Sequence, residues 1–325
     1  VGRRPVLLVS IAALMASTVL FAVATSVAWL FVARGVQGLA TGVAISAASA
    51  ALLDLHPRRD PSGAGLANAV ASSAGIALGI LVAALLVGLG SAPLVLPYIA
   101  LLGLLAVALL GVVWMPEPVR DRRRIGWRIQ RPRVPAAVRA PFLLAALTVL
   151  TTWSLGGLFF SLGPALGARL LGSTDAVVST LGIVALATSA ALSQVVLRRT
   201  APWLGALLGS VALVVGVSLI VLAASLGSGP TYLVGSAIAG VGFGIGFLGG
   251  LRALAGAIPP ELRASVMSAF YTVAYVSLSV PAVLAGLVVG RLGLEATFVV
   301  FGVVVALLAV PTGVLAWRLR RARTR

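Results

Sequence analysis

Ten apolar stretches, each of membrane-spanning length, leave this chain few folds to choose from. They run at about 6–26, 28–53, 64–89, 93–115, 141–166, 175–197, 203–226, 230–257, 264–290 and 295–317. A helix crossing roughly 30 Å of hydrocarbon needs about 20 apolar residues. Only helices or closed barrels satisfy the backbone there. The arginines then set the orientation. All 24 basic residues are arginine, and 20 of them fall on one side if Val1 lies in the cytoplasm. They sit at Arg3 and Arg4, in the turn at 58–59, through the 120–139 segment, at 198–199, at Arg263 and in the tail after Trp317. The opposite loops hold only Arg169 and Arg291, which leaves Arg34 and Arg252 inside spans. Positive flanks resist translocation. The sequence therefore predicts an all-α, multi-pass protein of the cell membrane with both termini cytoplasmic.

Composition narrows the class. The chain is 60% hydrophobic and 10% charged, against roughly 25% charged in an average soluble domain. Its net charge of +17 comes from arginines that flank spans rather than forming one basic face. A bilayer with an anionic inner leaflet is the expected partner, and nucleic acid is not. With no cysteine, one histidine (His56) and seven acidic residues, neither a metal site nor a cofactor is expected.

The longest polar segment, Glu117 to Arg139, divides the chain after four spans. Residues 1–116 read as an N-terminal bundle, 117–140 as a basic cytoplasmic linker, and 141–325 as a six-span bundle with a basic tail. The two parts resemble each other. At a constant offset of 202 residues, Gly38 meets Gly240, Gly42 meets Gly244 and Pro57 meets Pro259. Such duplication is common among transporters. The second part carries two spans ahead of its basic turn "LRRTAPW"; the first part has none ahead of "GRRPVLL". That difference predicts a twelve-span protein lacking its first two helices.

In this order of spans and turns the chain resembles the major facilitator superfamily. "GRRPVLL" at Gly2–Leu8 is similar to the end of the family's signature loop, and "RGVQGLATG" at Arg34–Gly42 to its fourth-helix motif. "WMPEP" at Trp114–Pro118 resembles the exit of its sixth helix. The resemblance implies a two-bundle fold, a small-molecule substrate and alternating access. The fifth-helix pattern of the proton-driven drug antiporters is only partly present. Gly75 and Gly79 stand, but Ile80 takes the place of its proline, and Ala83 and Ala84 those of its last glycines.

Few residues can carry chemistry. Arg34 lies within the second span, about 9 Å from its outer end at 1.5 Å per residue. A charge there costs several kcal/mol unless paired or hydrated, which makes it a functional candidate. Gln37 and Thr41 follow at helical spacing on the same face, with Gly35, Gly38 and Gly42 beside them for close helix contact. In the family, the corresponding arginine is linked to proton coupling or to substrate charge. Asp54 ends this span on the inner side, opposite Arg3 and Arg4. The resemblance implies an inner-gate pair there, preferentially Asp54 with Arg4, and a solvated helix-end carboxylate is the alternative. Arg252 is expected to extend its head group to the inner surface.

Aromatic and polar positions predict a cavity wall: Trp153, Phe243, Phe247, Tyr271 and Tyr275, with Asn68 and Ser72 on the third span. The face of Thr148, Thr152 and Phe159 belongs to the same expectation, packing being its plain alternative. The reading that results is a monomeric secondary carrier, an efflux protein coupled to protons. A ten-span drug/metabolite-type carrier stays open, although its five-plus-five plan does not suit a linker after four spans. A membrane-embedded enzyme would need clustered intramembrane carboxylates or a histidine, and the nearest set, Asp54, His56 and Asp60, sits in a turn.

Overall fold

All ten expected spans form helices in the computed structural model, which describes residues 2–55, 61–89, 92–93, 95–117, 134–259 and 262–323. They are α1 (Arg3–Ala22), α2 (Val27–Leu55), α3 (Pro61–Gly88), α4 (Leu96–Trp114), α5 (Arg139–Leu170), α6 (Ala176–Val196), α7 (Pro202–Leu226), α8 (Gly229–Ala255), α9 (Arg263–Leu292) and α10 (Leu294–Arg323). A single 3₁₀ turn, Ala136–Val138, leads into α5, and the described residues contain no strand. The basic linker from 118 to 133, the turn holding His56 and Asp60, and Glu261 lie outside the described residues.

Local chemistry places the helix ends. Asp175 caps α6, its carboxylate accepting from the N–H groups of Val177 (2.9 Å) and Val178 (3.0 Å). Pro202 and Pro230 stand in the first turns of α7 and α8, where a missing N–H costs nothing. Gly227 closes α7 in the left-handed region at φ 65°, a conformation that a side chain would strain. Prolines 164, 281 and 311 lie inside α5, α9 and α10, which continue through them.

The chain forms two compact units, Val1–Asn68 with Leu85–Ile129, and Ala69–Ala84 with Gln130–Arg325. The sequence division placed all of α3 with the N-terminal spans. In the structure its middle, residues 69–84, belongs with the larger unit. Ser73 shares a buried hydrogen bond with Gln194 of α6 (Nε2 to Oγ, 3.2 Å), and Ile80 packs against that unit's core. A polar pair inside an apolar medium is satisfied only by its own partner.

In the first unit α1 packs on both α2 and α4. No residue of α4 is buried, and Leu104, Val107 and Trp114 are strongly exposed. In a bilayer such a surface faces lipid, so apolar side chains outside are no fault here. In the second unit α5 contacts α6, α8, α9 and α10, and α8 lies between α6 and α7. Glycines let these backbones close up. A side chain at Gly240 or Gly244 would run into the α6 backbone at Leu186 or Ala190. Their counterparts at the 202-residue offset, Gly38 and Gly42, have no described atom within 4 Å of that position.

Candidate functional site

Arg34 lies two helical turns into α2 and is exposed on the first unit. Its Nη1 donates to Gln37 Oε1 at 2.7 Å, and its guanidinium lies 4.9 Å from the centre of the Phe21 ring. Phe21 is itself stacked on Tyr98, with centroids 6.1 Å apart and planes 2° from parallel. The stack spans α1 and α4 and holds a π-face under the cation, an interaction of about 0.5–1 kcal/mol at an exposed site and more when desolvated. Gln37 was expected beside Arg34. Phe21 and Tyr98 were not, because neither motif nor periodicity marks two aromatics from different helices as neighbours. Thr41 follows one turn beyond Gln37 on the same helix. Asn68 accepts from the Ser49 hydroxyl at 3.1 Å, joining α3 to α2.

A second charged cluster lies at the other end of this unit. Arg3 Nε meets Asp54 Oδ2 at 3.1 Å, both side chains being partly exposed. The carboxylate of Glu117 accepts from the backbone N–H groups of Arg3 (2.9 Å) and Arg4 (3.1 Å) and so caps α1. Asp54 is thus paired with Arg3, whereas Arg4 was the preferred partner in the sequence. Adjacent helix residues point about 100° apart, and the capped first turn of α1 turns Arg3 toward the end of α2. Glu117 gave no cap signal, since it is 114 residues from the N–H it serves.

Most of the aromatic residues expected at a cavity meet one another inside the second unit, across α5, α8 and α9, packed on a buried core. Trp153 stands edge-on to Tyr275 (5.7 Å, 90°) and tilted against Phe247 (6.0 Å). Phe270, fully buried, links Phe247 to Tyr271 at 6.3 and 5.4 Å. Phe243 packs instead over Gly156, its ring 3.4 Å from where a Cβ would be, and joins the neighbouring core cluster. On the Thr148, Thr152 and Phe159 face both hydroxyls bond carbonyls of their own helix, and Phe159 stacks on buried Tyr232.

Arg252 does reach the end of its helix, where Nη1 donates to the carbonyls of Arg198 (2.7 Å) and Thr200 (3.1 Å). It ties α8 to the loop before α7. On the opposite side Arg169 and Glu295 form an ion pair at 2.8 Å, joining the end of α5 to the start of α10. No group of three or more metal-binding side chains occurs among the described residues.

Ten helices long and apolar enough to cross a membrane define a polytopic membrane protein. The sequence pattern described as "Major Facilitator Superfamily" matches residues 1–282. The chain belongs to that family, and it is a membrane transporter of small molecules. The five-plus-five carrier plan is thereby set aside. Its fold is similar to the crystal structure of the human organic anion transporter MFSD10 (TETRAN), with a TM-score of 0.68 at 20% identity. That match covers 97% of this chain and 77% of the other. No curated protein matches the sequence.

Proposed function

We propose that this chain is a secondary active carrier of amphiphilic small molecules, working by proton-coupled efflux across the cell membrane with alternating access. The observation that carries the reading is Arg34, held by Gln37 and the Phe21 ring two turns into a span. A guanidinium does not release its proton under physiological conditions, so it cannot be the proton carrier. It acts by stabilising an anionic group, either a carboxylate that titrates or the substrate itself. Within the second unit, the ring cluster of Trp153, Phe247, Tyr271 and Tyr275 is the apolar, polarisable surface that an amphiphile would favour. In proteoliposomes, uptake of an aromatic carboxylate such as radiolabelled p-aminohippurate should exceed that of the cation ethidium and respond to an imposed pH gradient. Equal handling of both probes, without pH dependence, would count against the proposal.

The Arg3–Asp54 pair is proposed as an inner-gate latch. It joins the start of α1 to the end of α2 and is exposed enough to exchange partners with water. Asp54→Asn should bias the carrier toward the inward-open state, and exchanging Arg3 with Asp54 should restore part of the transport. The coupling in a double-mutant cycle should be about 1 kcal/mol, as for partly exposed pairs. Additive effects of the two single substitutions would remove the latch.

Orientation has its own test. The chain holds no native cysteine, so single cysteines read without background. Asp175→Cys and Ser228→Cys should react with an impermeant maleimide on intact cells, while Arg199→Cys should not. Labelling of position 199 from outside would invert the topology.

A further inference from the structure

We infer that the end of the second unit where α7 begins and α10 finishes is a binding site for one anionic phospholipid. The two helices are joined there by a small apolar core of Leu144, Ala206 and Ala316, with Leu207 and Leu319 packed against it. Just beyond that core, the Arg320 guanidinium lies 4.7 Å from the centre of the Trp203 ring, so α10 places its cation over α7. One residue on, Arg321 lies 3.8 Å from the Trp317 ring. Tryptophans at a helix end mark the headgroup level, and arginines spread over their faces offer planar N–H edges to a phosphate. Arg198 and Arg199, both exposed, come from the loop that leads into α7. Arg252 occupies two carbonyls of that loop, which withdraws backbone acceptors from the surface.

Charge and shape point to the same occupant. The described carboxylates of this unit, Asp175 and Glu295, start α6 and α10 and so lie at the opposite ends of those helices. Each already has partners, Asp175 the α6 N–H groups and Glu295 the Arg169 side chain. Further along the same two helices, Leu208 and Val211 on α7 and Val310 and Val314 on α10 are exposed apolar side chains. A diacyl lipid matches that sequence of parts, with its phosphate on the arginines and its chains along the helices. A free phosphate would use only the first part.

Native mass spectrometry of the protein with equimolar phosphatidylglycerol and phosphatidylcholine tests the site. The wild type should retain phosphatidylglycerol about tenfold over phosphatidylcholine, and the Arg199→Ala/Arg320→Ala protein should lose that preference. Arg291→Ala, at the opposite end of the bundle, should keep it. Arg199→Gln, which leaves the Arg320–Trp203 contact in place, should lose about threefold and guards against a misfolded double variant. Equal retention of the two lipids by the wild type would overturn the inference, as would an unchanged preference in both variants. Displacement of the lipid by millimolar inorganic phosphate would also overturn it, identifying a free-anion site.

Discussion

Arg34→Ala should lower gradient-driven transport about a hundredfold while leaving membrane insertion and folding intact. The expected size is that of a strong coupling free energy, about 3 kcal/mol. The reasoning starts from what the side chain touches. Its contacts with the Gln37 amide and the Phe21 ring are both neutral and both on the same unit. Neither contact holds α2 in place, since α2 packs on α1 along its length, and Ala33, Ala40, Ala47 and Ala51 form its buried line. Removing the guanidinium therefore costs little packing. What disappears is the only arginine of α2, and with it the means to favour an anion at that depth. Arg34→Lys keeps the charge but loses the planar fork and should retain part of the transport. Flux measured in proteoliposomes, alongside protein recovery, separates the two roles. Full gradient-driven flux in the alanine variant would reduce Arg34 to a structural tie.

Gly240→Leu should damage the fold severely. A side chain there meets the carbonyl and Cα of Leu186, so α6 and α8 must move apart along their contact. Overpacking costs about 1–3 kcal/mol where side chains can yield, and here the obstacle is backbone. The variant should lose about 3 kcal/mol or more and a large part of its monodisperse yield in detergent. Gly103→Leu on α4, where nothing lies within 4 Å and the surface is exposed, should leave thermal unfolding unchanged. Equal melting of both variants would mean that the α6–α8 approach does not limit stability.

Length and apolarity were enough to read the helices, because a bilayer imposes both. The 202-residue offset was read from glycines and a proline. Yet it did not reveal that Gly240 and Gly244 close on α6 while Gly38 and Gly42 face open space among the described residues. Sequence spacing also gave Arg34 with Gln37, since both lie on one helix face. It could not give Phe21 and Tyr98, nor Glu117 capping α1, because those partners are brought together by packing between helices. The choice of Arg3 over Arg4 for Asp54 turned on the direction of one helical turn. The aromatic wall was read as separate stripes, and Phe270, which joins Phe247 to Tyr271, was missed because a buried ring carries no mark of its neighbours. Residues 69–84 group with the larger unit, and their Ser73–Gln194 bond, made across 121 residues, is a contact that local spacing does not show.

The central claim, a carrier whose flux is coupled to protons through an anion held by Arg34, is tested most directly in one preparation. Proteoliposomes loaded with a pH-reporting dye are given p-aminohippurate with no pH gradient imposed. The account predicts that adding the anion moves protons at a rate proportional to the protein present, and that the Arg34→Ala protein moves the dye signal no faster than empty liposomes. Anion flux with no proton movement, or proton movement equal in the wild type and the variant, would contradict it.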